Sequence, residues 1–450
     1  MKDKNYLVFG AGISGIGSVQ LLSTVTENIT LYDGNKELDK EALREKVGVD
    51  IKFDIVTGVL PDEVVKATDI TVLSPGVPPS NPDVMRLKAA GARVWGEVEL
   101  AYRFNRGKIL AITGTNGKTT TTSLVGEICA LHTKDTFVTG NIGVAYTTCA
   151  PKTTDNSLTV LEISSFQLET TVEFHSQVSA ILNITPDHLD RHGTFENYAQ
   201  AKYDITKNQT EDDTIVLNYD DPLLKGFGER SDLRPKVIFF SSSEILDKGL
   251  YLKGKEFYYN DGAHEVFLLR TDEMKLLGRH NYENVMAAIG ICLAAGIPQE
   301  TIIKGVKGFN AVEHRIEFVV EKNGVRYYND SKGTNPDAAI KAVEAMERPT
   351  ILIGGGYDKN SDYEEWIGSF GDKVKLLVLI GQTREKIRDA AERCGFTHTV
   401  LCDTFEEAVE TCIKAAKPGD AVLLSPACAS WGMFKNYEER GRIFKELVRK

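Results

Sequence analysis

The strongest constraint in this sequence is a short apolar run followed by a glycine loop and a helix-type stretch, met twice in well-separated places. Near the start, NYLVF at 5–9 leads into Gly10-Ala11-Gly12-Ile13-Ser14-Gly15. Farther on, KILAIT at 108–113 leads into Thr113-Gly114-Thr115-Asn116-Gly117-Lys118-Thr119-Thr120. A glycine loop at a strand-to-helix turn lets backbone N–H groups and a helix N-terminus approach a phosphate closely. Such turns belong to parallel sheets built from βαβ units, and strands alternate with helical stretches to the end of the chain, so the fold class is α/β.

A chain of 450 residues is too long for one ordinary core. The first unit adds strands at 28–33 and 69–73 and ends near Asn105-Arg106-Gly107. The second begins at 108, with further strands at 158–163, 178–183 and 214–217, a helix at 195–209, and a helix after Gly278 that stops at Gly296 and Pro298. The third begins around Ala311, with strands at 316–320, 325–329, 350–353, 376–380 and 421–424.

Charge narrows the partners. A net charge of −11 repels phosphate backbones, so nucleic acid is not expected, and an anionic substrate has to be met by local cations and loop N–H groups. The seven cysteines are scattered and never spaced as C-x-x-C, which predicts reduced core residues rather than a disulfide framework or zinc site. The first residues run into a strand without a signal-type apolar region, and no run reaches the roughly 20 apolar residues of a membrane span. A cytosolic protein without a membrane partner is expected.

On the residues alone, the first loop suits a dinucleotide such as NAD, another diphosphate, or tight packing of the glycines, with Asp33 ending the second strand. The second resembles a P-loop, although Ile112 stands where the first glycine of the commonest spacing falls. Glu162 at a strand end and His188 in the loop TPDHLDRH sit where ligands bind in open α/β sheets, as metal contacts or as solvated loop groups. Lys202, by periodicity, is an ordinary solvated helix lysine. Gly354–Lys359 and Ser425–Ser430 follow strands and either border a cleft or form a glycine turn and a helix cap. No HExxH or G-x-S-x-G is present, which disfavours a zinc protease and a serine hydrolase. A P-loop switch or an NAD-dependent oxidoreductase would each use one glycine loop and leave the other without a purpose.

At GTNGKTTT, GNIG, LEISSFQLE, NITPDHLDRHGTFENYAQAK, HNYEN, HRIE, NDSKGTNP and LLSPACASWGMFKNYEERG the chain resembles the Mur ligase family, in family order and across all three units. The resemblance implies a Rossmann-like UDP-sugar-binding domain at 1–107, a central P-loop ATPase domain at 108–311 and a Rossmann-like C-terminal domain at 312–450. It implies ATP-dependent addition of D-glutamate to UDP-N-acetylmuramoyl-L-alanine through an acyl phosphate, in peptidoglycan precursor synthesis. The third domain lacks the Asp-Asn-Pro-Arg of the sibling that adds a diamino acid, in keeping with glutamate.

By the same resemblance, Gly114, Thr115, Asn116, Gly117, Lys118, Thr119 and Thr120 would hold ATP, with Asn284, Arg315 and Asp330 around the adenine and ribose. Two Mg²⁺ ions would be held by Thr119, Glu162, His188 and Lys202, the last as a carbamylated lysine. Ser14, Asp33, Ser74, Gly76 and Asn141 would meet the UDP-sugar. Lys332, Thr334, Lys359, Ser430 and Tyr437 would surround D-glutamate or the reaction centre. A monomer is expected. After Asp33 the chain reads Gly34-Asn35-Lys36 in place of the family's Thr-Arg, so uracil contacts beyond Asp33 do not carry over.

Overall fold

The structure, a computed structural model, describes residues 1–310 and 312–450; Ala311, where the third unit is expected to begin, lies outside them. Three sheets carry the chain. The first is fully parallel, in the order Asp54–Thr57, Ile29–Asp33, Tyr6–Phe9, Ile70–Leu73, Arg93–Gly96. Its two central strands are buried along their whole length, which is why they read as unbroken apolar runs rather than alternating ones.

The second sheet has nine strands, and its middle sets the site. Lys108–Thr113 lies between Leu158–Glu162 and Val178–Ile181, all parallel, with Ile112 paired to Glu162 and Thr113 to Ile181. The strand carrying the second glycine loop thus ends beside Glu162 on one side and the Leu182-Asn183 turn on the other. The connections that leave this strand and its neighbour Val178–Ile181 run in opposite directions, which makes the crevice in which open α/β sheets bind ligands.

The third sheet has six strands in the order Glu317–Lys322, Val325–Asn329, Ala421–Leu424, Thr350–Gly355, Val374–Ile380, Thr399–Leu401. Its cores, built around Trp366, Leu352 and Leu377 on one face and Ile353, Val422 and Phe444 on the other, bury both faces.

Three expectations need correction. The sheets are not purely parallel: Gly249–Lys253 pairs antiparallel with Glu256–Asn260, and Glu317–Lys322 with Val325–Asn329. Asn323 and Gly324 both take positive φ (54° and 77°), the two-residue turn that Asn-Gly favours. The helix expected at 195–209 is Phe195–Tyr203 followed by a 3₁₀ turn at Asp204–Thr206. The cysteines are all free and six are buried, but Cys394 is exposed.

The chain forms two compact units, Met1–Leu268 with Glu283–Val306, and Leu269–Tyr282 with Lys307–Lys450. Within the first, the helix Glu97–Tyr102 after the first sheet is tied to the second sheet by a buried carboxylate. Glu99 is 0% exposed and its Oε2 accepts from the backbone N–H of Val172, Glu173 and Phe174 at 2.8, 3.0 and 3.0 Å. Its Oε1 accepts from Arg103 at 2.8 Å, and the guanidinium lies 4.3 Å over the Trp95 ring.

Removing a buried, fully bonded charge strands its donors, so Glu99→Ala should cost about 3–5 kcal/mol in urea unfolding. Glu173→Ala, which removes the 64%-exposed second partner of Arg103, should leave the midpoint nearly where it is. Equal small losses from the two variants would show that Glu99 does not hold these elements together.

Candidate active site

The second glycine loop is shaped by two residues in conformations that exclude side chains. Gly114 has φ 151° and Gly117 φ 85°, and a Cβ on Gly117 would lie 2.2 Å from Asn284 Oδ1, which places Asn284 against the loop. Asn183 braces the turn: its carbonyl accepts from Thr115 N–H (2.9 Å), its Oδ1 from Asn116 N–H (2.8 Å), and its Nδ2 donates to the Asn116 carbonyl (3.1 Å). The helix Lys118–His132 then starts at Gly117 with no side-chain cap, leaving its N-terminus to an anionic ligand. Thr119 is half-buried in its first turn and Thr120 is buried.

Two lysines converge on one carbonyl. Lys118 Nζ donates to the carbonyls of Gly114 (2.8 Å) and Thr115 (2.9 Å), and Lys202 Nζ donates to the same Gly114 oxygen at 2.9 Å. Lys202 is 1% exposed, so the solvated reading drawn from periodicity is wrong. Its helix buries Tyr198, Ala199, Ala201 and Lys202, and the lysine lies four residues from Tyr198 on that stripe, its Nζ 4.5 Å over the Tyr198 ring. The Tyr198 hydroxyl in turn lies 3.0 Å from Thr115 Oγ1. Burial, and then the neighbouring Lys118 charge, lower the Lys202 pKa to about 7.

Glu162, 1% exposed, accepts from Asn141 Nδ2 at 3.0 Å through Oε1. Its Oε2 is buried without a hydrogen-bond partner among the described residues. A carboxylate oxygen left in this way is costly unless a cation meets it, and a hard oxygen donor suits Mg²⁺, so the residues present fit a divalent metal here.

His188 has φ 51° and a half-exposed ring 4.9 Å from Phe166, with Nε2 3.4 Å from Asp187 Oδ2. His192, in the same loop, is a different case. It is buried, with Nδ1 3.1 Å from Glu169 Oε1 and Nε2 3.1 Å from Ser165 Oγ, and burial lowers its pKa. Arg191 completes this bracket, donating to Glu169 at 2.9 Å and lying 4.5 Å over Phe166.

Around the first glycine loop, a Cβ on Gly15 would fall 1.8 Å from the Gly10 carbonyl oxygen, so the helix can start this close only with glycine. Asp33 spends both oxygens on backbone, accepting from Ala11 N–H and Asn35 N–H at 2.9 Å each. Ser74 Oγ donates to the Gly10 carbonyl at 3.4 Å, and Gly76 is exposed in the turn that follows. Ser14 is hydrogen-bonded to Glu97, whose carboxyl is pushed up by burial and which also accepts from Gln167 Nε2 at 2.8 Å. Ser14, Asp33 and Ser74 are therefore grouped, whereas Asn141 is at Glu162.

In the second unit, Asp330 is buried and turned inward. Its Oδ2 accepts from Ser425 Oγ (2.7 Å), its Oδ1 from Ile316 N–H (3.2 Å), and burial raises its pKa to about 7. Arg315 is exposed, Thr334 is half-buried and Ser430 is buried. Lys332 Nζ lies 5.5 Å over the Tyr437 ring and Lys359 Nζ 4.8 Å over Trp431.

Arg440, not singled out from the sequence, is fully buried, donating to Ser331 Oγ (2.9 Å), the Ser331 carbonyl (2.8 Å) and the Cys428 carbonyl (3.2 Å). It fastens the NDSKG and PACAS loops together, and burial lowers its pKa only to about 10, so it stays a cation at neutral pH.

Residues 4–96 match the Mur ligase MurD-like N-terminal domain, 112–292 the Mur ligase middle domain and 314–428 the Mur ligase glutamate ligase domain. The chain belongs to the Mur ligase family. Among Mur ligases it is 56% identical over 448 residues to the UDP-N-acetylmuramoylalanine–D-glutamate ligase of Lachnospira eligens, covering 100% of this chain and 99% of that one. It is 46% identical over 452 residues to the protein of that name from Thermoanaerobacter pseudethanolicus, covering 100% and 98%.

Solved Mur ligase structures share the fold. UDP-N-acetylmuramate-alanine ligase MurC of Thermotoga maritima is 17% identical with a TM-score of 0.59 over 99% of each chain. MurF of Acinetobacter baumannii is 16% identical with a TM-score of 0.60 over 94% of this chain and 91% of that one.

The buried Lys202 has a consequence for the metal-free protein. Its folded pKa of about 7 lies below the 10.5 of a free lysine, so between these values the unfolded chain binds more protons and stability rises with pH. The penalty is full below the lower value and gone above the upper one. In carbonate-free buffer with a chelator, wild type should gain on Lys202→Met by up to about 1.4 kcal/mol per pH unit from pH 7 toward 10. A difference in urea midpoints that does not change with pH would contradict the buried, depressed amine.

Proposed function

We infer that this Mur ligase joins D-glutamate to UDP-N-acetylmuramoyl-L-alanine at the expense of ATP, a step of peptidoglycan precursor synthesis. The observation that carries this reading is full-length identity of 46–56% to ligases of that name. It is supported by a P-loop on which two lysines and an unpartnered carboxylate oxygen converge. The chain divides by function into 1–107 for the UDP-sugar, 108–311 for ATP and 312–450 for D-glutamate. No helix among the described residues is long and apolar enough to cross a membrane. On this reading the enzyme is a cytosolic monomer.

The chemical obstacle is repulsion: a carboxylate about 4 Å from one phosphate charge is opposed by about 4 kcal/mol at an effective dielectric near 20. Lys118 moves from the Gly114 and Thr115 carbonyls to the phosphate oxygens, while the first-turn N–H groups of its helix hold the chain of phosphates. Thr119, Glu162, His188 and Lys202 would hold Mg²⁺, which would supply neutralisation of phosphate charge.

A lysine amine near neutrality can add to CO₂, forming an N–C bond and releasing a proton. Lys202 thereby becomes a carbamate whose oxygens suit a hard cation, and the adjacent Lys118 favours that anion. Asn141 fixes Glu162 from behind.

At the first loop, Ser14, Ser74 and Gly76 receive the diphosphate side of the UDP-sugar, with Asp33 holding the loop open. Asn284, Arg315 and Asp330 serve the adenine and ribose side. Asp330 acts through Ser425 and the Ile316 backbone that its carboxylate holds. Thr334, Lys359, Ser430 and Tyr437 bind D-glutamate, and Lys332 meets the reaction centre as the amine attacks the acyl phosphate.

Phosphate release should require ATP, Mg²⁺, UDP-N-acetylmuramoyl-L-alanine and D-glutamate together, with L-glutamate inactive. Brisk hydrolysis of ATP with either acceptor omitted would favour a nucleotide switch instead.

Lys202→Arg keeps charge and helix propensity but cannot form a carbamate. Its kcat should fall at least about a hundredfold, or about 2.7 kcal/mol, with a smaller change in ATP KM. A folded Lys202→Arg enzyme with near wild-type kcat would refute the carbamate role.

A further inference from the structure

The second unit leaves large apolar side chains in water at the end of its sheet: Trp431 is 55% exposed, with Tyr357 and Met433 also exposed. A side chain this open adds little to the core, and clustering with other exposed apolar groups points to a use outside packing. Its position follows from topology. Thr350–Gly355 and Ala421–Leu424 are parallel neighbours, so the loops that follow them lie side by side. Tyr357 N–H donates to the Ala429 carbonyl at 2.9 Å, and the Tyr357 ring meets Trp431 edge to face at 5.5 Å. Lys359 Nζ then lies 4.8 Å over the indole.

The charges around Lys359 sharpen the picture. Asp358, its neighbour in sequence, is taken by Lys386 at 3.1 Å, and among the described residues no carboxylate pairs with Lys359. A carboxylate partner would hold the ammonium but cancel its charge toward an incoming anion. An aromatic face attracts the ammonium through its quadrupole and leaves the full charge in place.

We propose that Trp431, backed by Tyr357, is a positioning residue: its indole face seats the Lys359 ammonium, un-neutralised, to receive a carboxylate of the incoming amino acid. The proposal rests on Lys359 being a D-glutamate ligand.

The test is steady-state kinetics of the full-length enzyme with four variants: Trp431→Leu, Trp431→Phe, Lys359→Ala and the Lys359→Ala/Trp431→Leu pair. An exposed cation–π contact corresponds to about a two- to fivefold effect, so Trp431→Leu should raise the D-glutamate KM by that factor, with kcat and the ATP KM unchanged. Trp431→Phe, which keeps a ring, should recover most of the loss. In the Lys359→Ala background, Trp431→Leu should add nothing, because its effect runs through the missing ammonium.

A full additive factor in the double variant would mean that the indole touches the amino acid itself, and would overturn the proposal. So would an unchanged D-glutamate KM in Trp431→Leu beside a raised one in Lys359→Ala. If Lys359→Ala itself leaves that KM unchanged, the ligand assignment of Lys359 falls first and the seat falls with it.

Discussion

The Gly114 carbonyl oxygen, shared by the amines of Lys118 and Lys202, is the interaction on which the central site depends. Two charged ammonium groups on one oxygen repel, and only one of them can be hydrated. The conflict is resolved by burial: Lys202, with the Tyr198 ring beneath it, gives up its proton near neutrality, while Lys118 stays at the loop's mouth. That arrangement requires the loop to be stiff. Asn183, Thr185 and Tyr198 supply the stiffness by bonding Thr115 and Asn116 from three directions.

The two glycine loops read alike in sequence, yet they differ in what is left over after folding. At the first, Asp33 sits at a strand end but is consumed by the loop's own N–H groups, so it shapes the turn and has little capacity for a cation. At the second, Glu162 occupies the corresponding place beside the loop and keeps one buried oxygen without a partner among the described residues. An unsatisfied buried oxygen costs stability, and proteins keep such groups where a ligand repays the cost. Whether the carboxylate at such a strand end keeps an oxygen for a cation thus depends on a hydrogen-bond count that no glycine pattern encodes.

Much of the fold was legible because the buried strands announce themselves. Tyr6–Phe9, Lys108–Thr113, Val325–Asn329 and Ala421–Leu424 are close to where apolar runs place them. The hairpin Gly249–Lys253 and Glu256–Asn260 was not foreseen, since its alternation of Tyr, Phe and Lys is that of a sheet margin rather than a buried strand. Within the site, glycines and strand ends were readable, but burial was not. Lys202 carries the residue type of a solvated face, and only its place four residues from Tyr198, beside Ala201, marks it as inward. Arg440 gave no local signal either, because its partners Ser331 and Cys428 are remote in sequence.

The second unit sorts its cations by how they are held. Arg440 is buried and fully bonded to loop oxygens, and Lys445 is taken by Glu313 and Glu317 at 2.5 and 3.0 Å, so both serve the fold. Lys359 rests instead on the ring of Trp431. Ion pairing fixes a cation by spending its charge, whereas an aromatic face fixes it and leaves the charge to act. A chain of net charge −11 repels an anionic ligand, and a lysine that keeps its charge at an exposed aromatic face offsets that repulsion locally where an ion-paired one does not.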